Sequence, residues 1–104
     1  MPLMTSSFLA EAKAPCVVVG GEVDVSNAQE LRESLEAALR RVDRHESLVV
    51  DLLGVDLLAC AGAREIRRFC ARCLEAGVVM TIRARAGGTV AEVLRVAGLA
   101  DLLG

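Results

Sequence analysis

The sequence predicts a single α/β domain in which amphipathic helices cover a mixed, mostly parallel sheet of four or five strands. At 104 residues the chain has the length of one domain and can bury a core without disulfides or metals. Apolar residues make up 54% of the sequence and charged residues 25%, which favours a compact fold over disorder. Short apolar runs and helical periodicities follow in the order β-β-α-β-α-β-α, which predicts right-handed crossovers between strands.

The first two strands are predicted near the beginning of the chain. Residues 1–7 end in the small polar run Thr5-Ser6-Ser7, and we expect this segment to be frayed. A short edge strand is predicted over 8–12. The next strand begins in the apolar, largely β-branched run at 16–19 and reaches about Val23. Gly20 and Gly21 lie inside it and predict a bulge or a close approach of two backbones.

The first helix follows a capping box, in which Ser26 caps the helix and Gln29 stands three positions later. Behind it, apolar side chains recur with the period of a helix that buries one face. These residues are Ala28, Leu31, Leu35, Ala38, Leu39 and Val42. The strand that follows covers 47–53 and is apolar at nearly every position, which is typical of a parallel strand or one covered on both sides.

The second half of the chain continues the alternation of helices and strands. A second helix is predicted over 62–75 and the last strand over 78–83. A second capping box, Thr89 with Glu92, begins the third helix. Gly98 ends that helix, and the apolar residues behind it are expected to pack as a final turn.

The composition argues against several classes of function. The net charge is −2 and the chain has neither Trp nor Tyr, so it lacks the basic surface and the stacking platforms of nucleic-acid binding proteins. No apolar run has the length of a membrane span, and no signal-peptide pattern is visible at the beginning. We therefore expect a cytoplasmic protein that does not insert into membranes. No arrangement of acids, histidine and nucleophiles predicts an enzyme.

The four cysteines are expected to be thiols in that compartment. Cys60 is predicted at or just before a helix N-terminus, where the helix dipole stabilises a thiolate. It is a candidate redox thiol, and the alternative is a small residue that fills a tight turn. Cys70 and Cys73 form a C-x-x-C inside a helical pattern, whereas a zinc site needs about four ligands. Buried core thiols are the better interpretation, and no metal or cofactor is expected.

Four short segments stand in an order and spacing that are specific when taken together. They are Gly21-Glu22-Val23-Asp24, residues 49–55, Glu75-Ala76-Gly77 and residues 93–99. They resemble, respectively, four motifs of the STAS domain: Gly-Glu-Leu-Asp, a strand ending in Asp-Leu-Ser-Gly-Val, the Gly that ends the second helix, and the closing Val-Leu-x-x-x-Gly-Leu. This is the fold of bacterial anti-sigma factor antagonists. The resemblance covers residues 8–103 and implies one STAS domain over 1–104.

The chain departs from the family at the loop that opens the second helix. The family pattern is Asp-Ser-Ser-Gly, and this chain has Ala59-Cys60-Ala61-Gly62. In the family the second Ser is phosphorylated by a partner kinase that is also the anti-sigma factor, and it maps to Ala61. A phosphoserine adds roughly −1.5 to −2 charge, but alanine has no hydroxyl to accept a phosphate. We therefore expect no phosphorylation switch at this position.

The resemblance implies a function in binding another protein. The leading hypothesis is an antagonist that docks onto an anti-sigma factor of the GHKL kinase type and frees the sigma factor. The alternative is an accessory subunit of a lipid-transport ABC system that binds its ATPase, because such subunits resemble this chain in having Ala at position 61. A thiol-based redox regulator and a scaffold of a stress-signalling assembly are further alternatives, and a second copy of the chain is a further candidate partner.

The predicted partner surface combines two loops with the charged face of the second helix. The resemblance implies that the loop around Asp24 neighbours the loop at 59–62. The arginines of the second helix would begin next to that surface and could meet an acidic partner. The predicted contact residues are Asp24, Ser26, Asn27, Ala59, Cys60, Ala61, Gly62, Arg64, Arg67 and Arg68.

Overall fold

The computed structural model describes residues 3–10 and 14–104. The elements of this part of the chain are β1 (Met4–Leu9), β2 (Cys16–Val23), α1 (Ala28–Leu39), β3 (Ser47–Leu58), α2 (Cys60–Ala76), β4 (Val79–Arg83), α3 (Thr89–Val96) and a short 3-10 helix at Ala100–Leu102. The predicted order β-β-α-β-α-β-α is confirmed.

The described strands form one sheet in the order β1-β2-β3-β4. β1 pairs antiparallel with β2, whereas β2, β3 and β4 run parallel, so the prediction of a mixed, mostly parallel sheet is also confirmed. Parallel neighbours end at the same edge of a sheet. The segments that follow β2 and β3 therefore leave the sheet side by side, and this edge carries the candidate site.

One face of the sheet forms the core with the helices. Alternate residues of β4, Met80 and Ile82, are buried, and so are alternate residues in the first half of β3, because successive side chains of a strand point to opposite faces. The helices add fully buried side chains to the same cluster, among them Leu31, Ile66 and Leu94. The core is mainly aliphatic, with the aromatic side chain of Phe69 buried in it.

The predicted irregularity at Gly20 and Gly21 is confirmed. The pairing of β2 with β3 shifts register on both sides of this glycine pair. Gly21 has a φ of 88°, and a Cβ at this position would collide with the carbonyl oxygen of Leu3. The backbone at Leu3 therefore passes close to β2 at a point where only glycine fits.

Several predicted boundaries were wrong. The first strand is Met4–Leu9 rather than 8–12, so residues 4–7 are paired with β2 and not frayed, while residues 1, 2 and 11–13 lie outside the described part. β3 continues to Leu58 because β2 pairs along it as far as Val23. α2 begins at Cys60, two residues earlier than predicted.

Both predicted capping boxes were wrong as well. The N-cap residues of α1 and α3 are Asn27 and Gly88, and neither makes a side-chain capping hydrogen bond. Thr89 is already inside its helix. The hydroxyl of Ser26 donates to the carboxylate of Asp24 instead, because short polar side chains before a helix also favour local turns.

Candidate protein-binding site

The β2–α1 loop and the first turn of α2 are neighbours at the carboxyl edge of the sheet. Val23 and Leu58 are paired at the ends of β2 and β3. The backbone N–H of Ala59 then donates to the carbonyl oxygen of Val23, with an N···O distance of 2.8 Å. The expectation that the loop around Asp24 adjoins the segment at 59–62 is therefore confirmed.

The β2–α1 loop is held by hydrogen bonds within itself. The carboxylate of Asp24 accepts from the N–H of Ser26 at 2.8 Å and from its hydroxyl at 2.6 Å. These bonds hold the pKa of the Asp24 carboxyl below its ordinary value. The side chain of Asn27 accepts from the N–H of Asp24 and donates to the carbonyl oxygen of Glu22, both at 2.9 Å. Asp24 thus presents a fixed negative charge at the edge of the site.

The first turn of α2 gives the site a small and uncharged surface. Ala59 is the N-cap in extended conformation, without a side-chain capping bond. Cys60 is exposed, and both Ala59 and Ala61 are partly exposed. Since neither alanine has a polar side-chain atom, a partner can approach the turn without desolvating a charged or hydroxyl group.

Two of the predicted contact residues support the site from beneath rather than facing outwards. Asn27 is only 5% exposed, and its side chain is hydrogen-bonded to the loop backbone through both its oxygen and its nitrogen. Gly62 is buried, and a Cβ there would lie 2.7 Å from both the Cγ1 of Val23 and the Cδ1 of Leu58. Neither residue has surface to offer a partner, so we reassign both as positioning residues.

The arginines of α2 divide into two groups. Arg64, Arg67 and Arg68 are exposed, and within residues 3–10 and 14–104 no carboxylate lies within 4.0 Å of their guanidinium groups. Arg72 instead binds Glu36 of α1 at 2.9 Å. The first group is available to a partner, whereas Arg72 helps to join the two helices.

A second ion pair between α1 and α2 was not predicted from the sequence. The guanidinium of Arg32 donates two hydrogen bonds of 2.8 Å to the two carboxylate oxygens of Glu65. This bidentate arrangement holds the pKa of the Glu65 carboxyl below its ordinary value. The partners stand 33 positions apart in the chain, so no local pattern relates them.

The cysteines differ in exposure. Cys60 is exposed and Cys70 half-buried, whereas Cys16 and Cys73 are buried. Burial raises the pKa of the Cys73 thiol to about 12 and also raises the pKa of Cys16. The core interpretation is confirmed for Cys73, and Cys70 packs against the same core. The redox role of Cys60 stays a prediction.

Clusters of metal-ligating side chains and membrane-spanning helices are both absent from the described part of the chain. Among residues 3–10 and 14–104, no three His, Cys, Asp or Glu side chains are grouped so that they could hold a metal ion. None of the helices described above combines the length and the apolar character needed to span a bilayer.

A groove between α2 and α3 was not predicted. It begins at Cys60 and includes Val93 and Val96 of α3. The sequence carries a signal for it, because apolar residues of α3 recur at the spacing of a second helical face. A groove also depends on the distance between α2 and α3. The spacing of apolar residues within each helix does not encode that distance.

The parallel β2-β3-β4 arrangement and the loop-helix edge define a mixed α/β domain, and comparison with known families identifies it further. The family model described as "Mlab, STAS domain" matches residues 7–104. The chain therefore belongs to the STAS domain family, as its motifs indicated. No curated protein sequence matches it significantly.

Solved structures share the same fold. An anti-sigma factor antagonist from Mycobacterium paratuberculosis superposes with a TM-score of 0.77 at 20% identity, covering 97% of this chain and 83% of that chain. The anti-sigma factor antagonist SpoIIAA in its unphosphorylated form gives a TM-score of 0.68 at 16% identity, covering 96% and 86%. Both similarities extend over nearly the whole of the present chain.

Proposed function

We propose that the chain is a regulatory binding protein, an anti-sigma factor antagonist that acts through the β2–α1 loop and the first turn of α2. The observation that carries the proposal is the small, uncharged and accessible surface of Ala59, Cys60 and Ala61. It lies beside the fixed carboxylate of Asp24, on a fold shared with two anti-sigma factor antagonists.

The proposed action is binding without catalysis. By occupying an anti-sigma factor of the GHKL kinase type in the cytoplasm, the chain would release the sigma factor. Ala61 has no hydroxyl, so a partner kinase cannot place a phosphate there to abolish the contact. Competence for binding would then be constant, and the amount of the protein would set the response.

The test is a binding measurement with the purified anti-sigma factor from the same cells. Ala61→Asp places a carboxylate in the small surface, where a partner would have to desolvate it. We expect about a hundredfold loss of affinity by titration calorimetry. Ala71→Asp is the matched control, because Ala71 is exposed on the same helix, about 15 Å further along its axis. Unchanged binding of Ala61→Asp, or an equal loss in both variants, would refute the proposal.

A second candidate is the accessory subunit of a lipid-transport ABC system. The observation that favours it is again Ala61, because those subunits resemble this chain in lacking the family's Ser. Binding of the Ala61→Asp and Ala71→Asp variants to an ABC ATPase distinguishes this candidate from the anti-sigma factor antagonist. ATPase binding that is lost in Ala61→Asp and kept in Ala71→Asp, with no affinity for the anti-sigma factor, would assign this role.

A further inference from the structure

An apolar groove runs between α2 and α3 beside the surface proposed above. Its volume is about 380 Å³. The side of α2 contributes Ala63, and the side of α3 contributes Val93, Val96 and Ala97. Val96 is 82% exposed, whereas Val90, Ala91 and Leu94 of the same helix are buried. This exposed apolar side chain stands beside the charged side chains of Arg64, Arg67 and Glu92, which also line the groove.

The rim of the groove carries unpaired positive charge. Arg64 and Arg67 of α2 line it, and in residues 3–10 and 14–104 no carboxylate lies within 4.0 Å of either guanidinium. On the opposite rim, the carboxylate of Glu92 binds Arg95 at 2.6 Å, so its charge is already paired. This positive rim stands out on a chain whose net charge is −2.

We propose that this groove binds an acidic amphipathic helix of the partner protein. Such a helix would place its apolar stripe on Val93 and Val96 and its flanking carboxylates beside Arg64 and Arg67. The inference rests on the proposed function, since Cys60 belongs both to the loop surface and to the groove. It adds the chemistry of the partner segment, which the fold alone does not provide.

A helix fits this groove for geometric reasons. Residues 60, 63, 64 and 67 of α2 recur at the spacing of one helical face, and α3 supplies the facing row. Two neighbouring helices leave between them a groove into which side chains at positions i, i+3 or i+4 and i+7 of a third helix can insert. The apolar contact supplies affinity, while complementary rim charges supply selectivity and rate.

The test uses two synthetic amphipathic peptides of about 18 residues, which make about five helical turns. They share one leucine stripe and differ only in whether Glu or Lys flanks it. Titrated into the labelled chain, the Glu peptide is expected to shift the backbone amide resonances of α2 and α3 along the groove. We expect it to bind about tenfold more tightly than the Lys peptide. Val96→Asp should weaken both peptides.

Charge reversal supplies the matched control. Arg64→Glu with Arg67→Glu should invert the preference between the peptides. Arg40→Glu with Arg44→Glu changes the net charge equally at exposed residues near the end of α1, and it should leave the preference intact. Circular dichroism establishes that each variant is folded. Equal affinity of the two peptides, amide shifts away from the groove, or the same inversion in the control would overturn the proposal.

Two further outcomes separate this proposal from others. Arginine-dependent binding to phosphatidylglycerol vesicles without peptide binding would replace the helix by a lipid surface and overturn the inference. The peptides contain no part of an anti-sigma factor, so their failure would leave the result for Ala61→Asp untouched. Conversely, selective peptide binding together with unchanged partner binding by Ala61→Asp would retain the groove and refute the proposed loop surface.

Discussion

Gly62 packs against Val23 where α2 leaves the sheet, so closely that a Cβ at position 62 would lie 2.7 Å from the Cγ1 of Val23. The backbone N–H of Ala59 binds the carbonyl oxygen of the same valine at 2.8 Å. The first turn of α2 is thus seated directly on the end of β2. Cys60 and Ala61 keep their accessible positions because Gly62 has no side chain that would push the first turn of α2 away from β2.

Gly62→Ala is expected to lower the free energy of unfolding by about 1 kcal/mol. Alanine is favoured over glycine in a helix by about 1 kcal/mol, but overpacking a core costs about 1–3 kcal/mol. The second effect should prevail because Val23 is fully buried and its β-branched side chain has little rotamer freedom. Urea unfolding followed by circular dichroism measures the difference.

A double-mutant cycle tests the assigned cause. Val23→Ala removes one of the two obstructing groups, the other being the Cδ1 of Leu58, so its combination with Gly62→Ala should destabilise less than the sum of the two single changes. Strict additivity, or a more stable Gly62→Ala variant, would show that the close contact does not hold α2 in place.

Asn27→Ala is expected to cost about 2 kcal/mol of stability. The change removes two hydrogen bonds of 2.9 Å, one to the N–H of Asp24 and one to the carbonyl oxygen of Glu22. Each is worth about 1 kcal/mol. Ser26→Ala is the control and should cost only about 0.5 kcal/mol, because Ser26 is exposed and caps no helix. A larger loss for Ser26→Ala would reinstate the capping box.

The same loop marks the limit of what its sequence can predict. A capping residue before α1 was expected, and the helix was placed within two residues. Ser26 and Asn27 are both good N-cap residues, however. Which of the two becomes the N-cap depends on Asp24, which binds Ser26. The competing hydrogen bonds lie within a few residues of each other, so the pattern fits either arrangement.

Long-range contacts account for the other differences between the predicted and the observed structure. Helical periodicity located the three helices, because burying one face imposes it, and short apolar runs located the buried parts of β2, β3 and β4. The position of β1 was missed, since this strand is short and polar, and pairing with β2 decides its register. The Arg32–Glu65 pair joins residues 33 positions apart. The pair depends on the packing of α1 against α2, which no local sequence pattern encodes.

The Arg32–Glu65 ion pair is expected to make stability depend on pH. The Arg32 guanidinium holds the pKa of Glu65 below its ordinary value, so the pair stabilises the fold above the unfolded pKa of about 4.3. That contribution is lost as the pH falls through the lower folded pKa. Glu65→Gln should therefore cost about 1 kcal/mol at pH 7 and little at acidic pH. Thermal unfolding across this range measures it.

An exposed ion pair provides the comparison. Glu92 and Arg95 lie on the surface of α3, where solvent screens the attraction. Glu92→Gln should change the stability less than Glu65→Gln at pH 7. A cost of Glu65→Gln that persists undiminished at acidic pH would contradict the electrostatic explanation, because the wild-type carboxylate is then protonated and the ion pair is absent from both proteins.

The four thiols are expected to react with iodoacetamide in the order of their accessibility. The thiolate is the reactive species, and at pH 8 a thiol with a pKa of about 12 is ionised to only about one part in ten thousand. Cys73, which is also buried, should be modified last and Cys60, which is exposed, first. Mass spectrometry of the digested protein follows each site, and unfolding in guanidinium should remove the differences. If Cys60 reacts in the folded chain as slowly as Cys73, exposure has not made it reactive and the redox hypothesis fails.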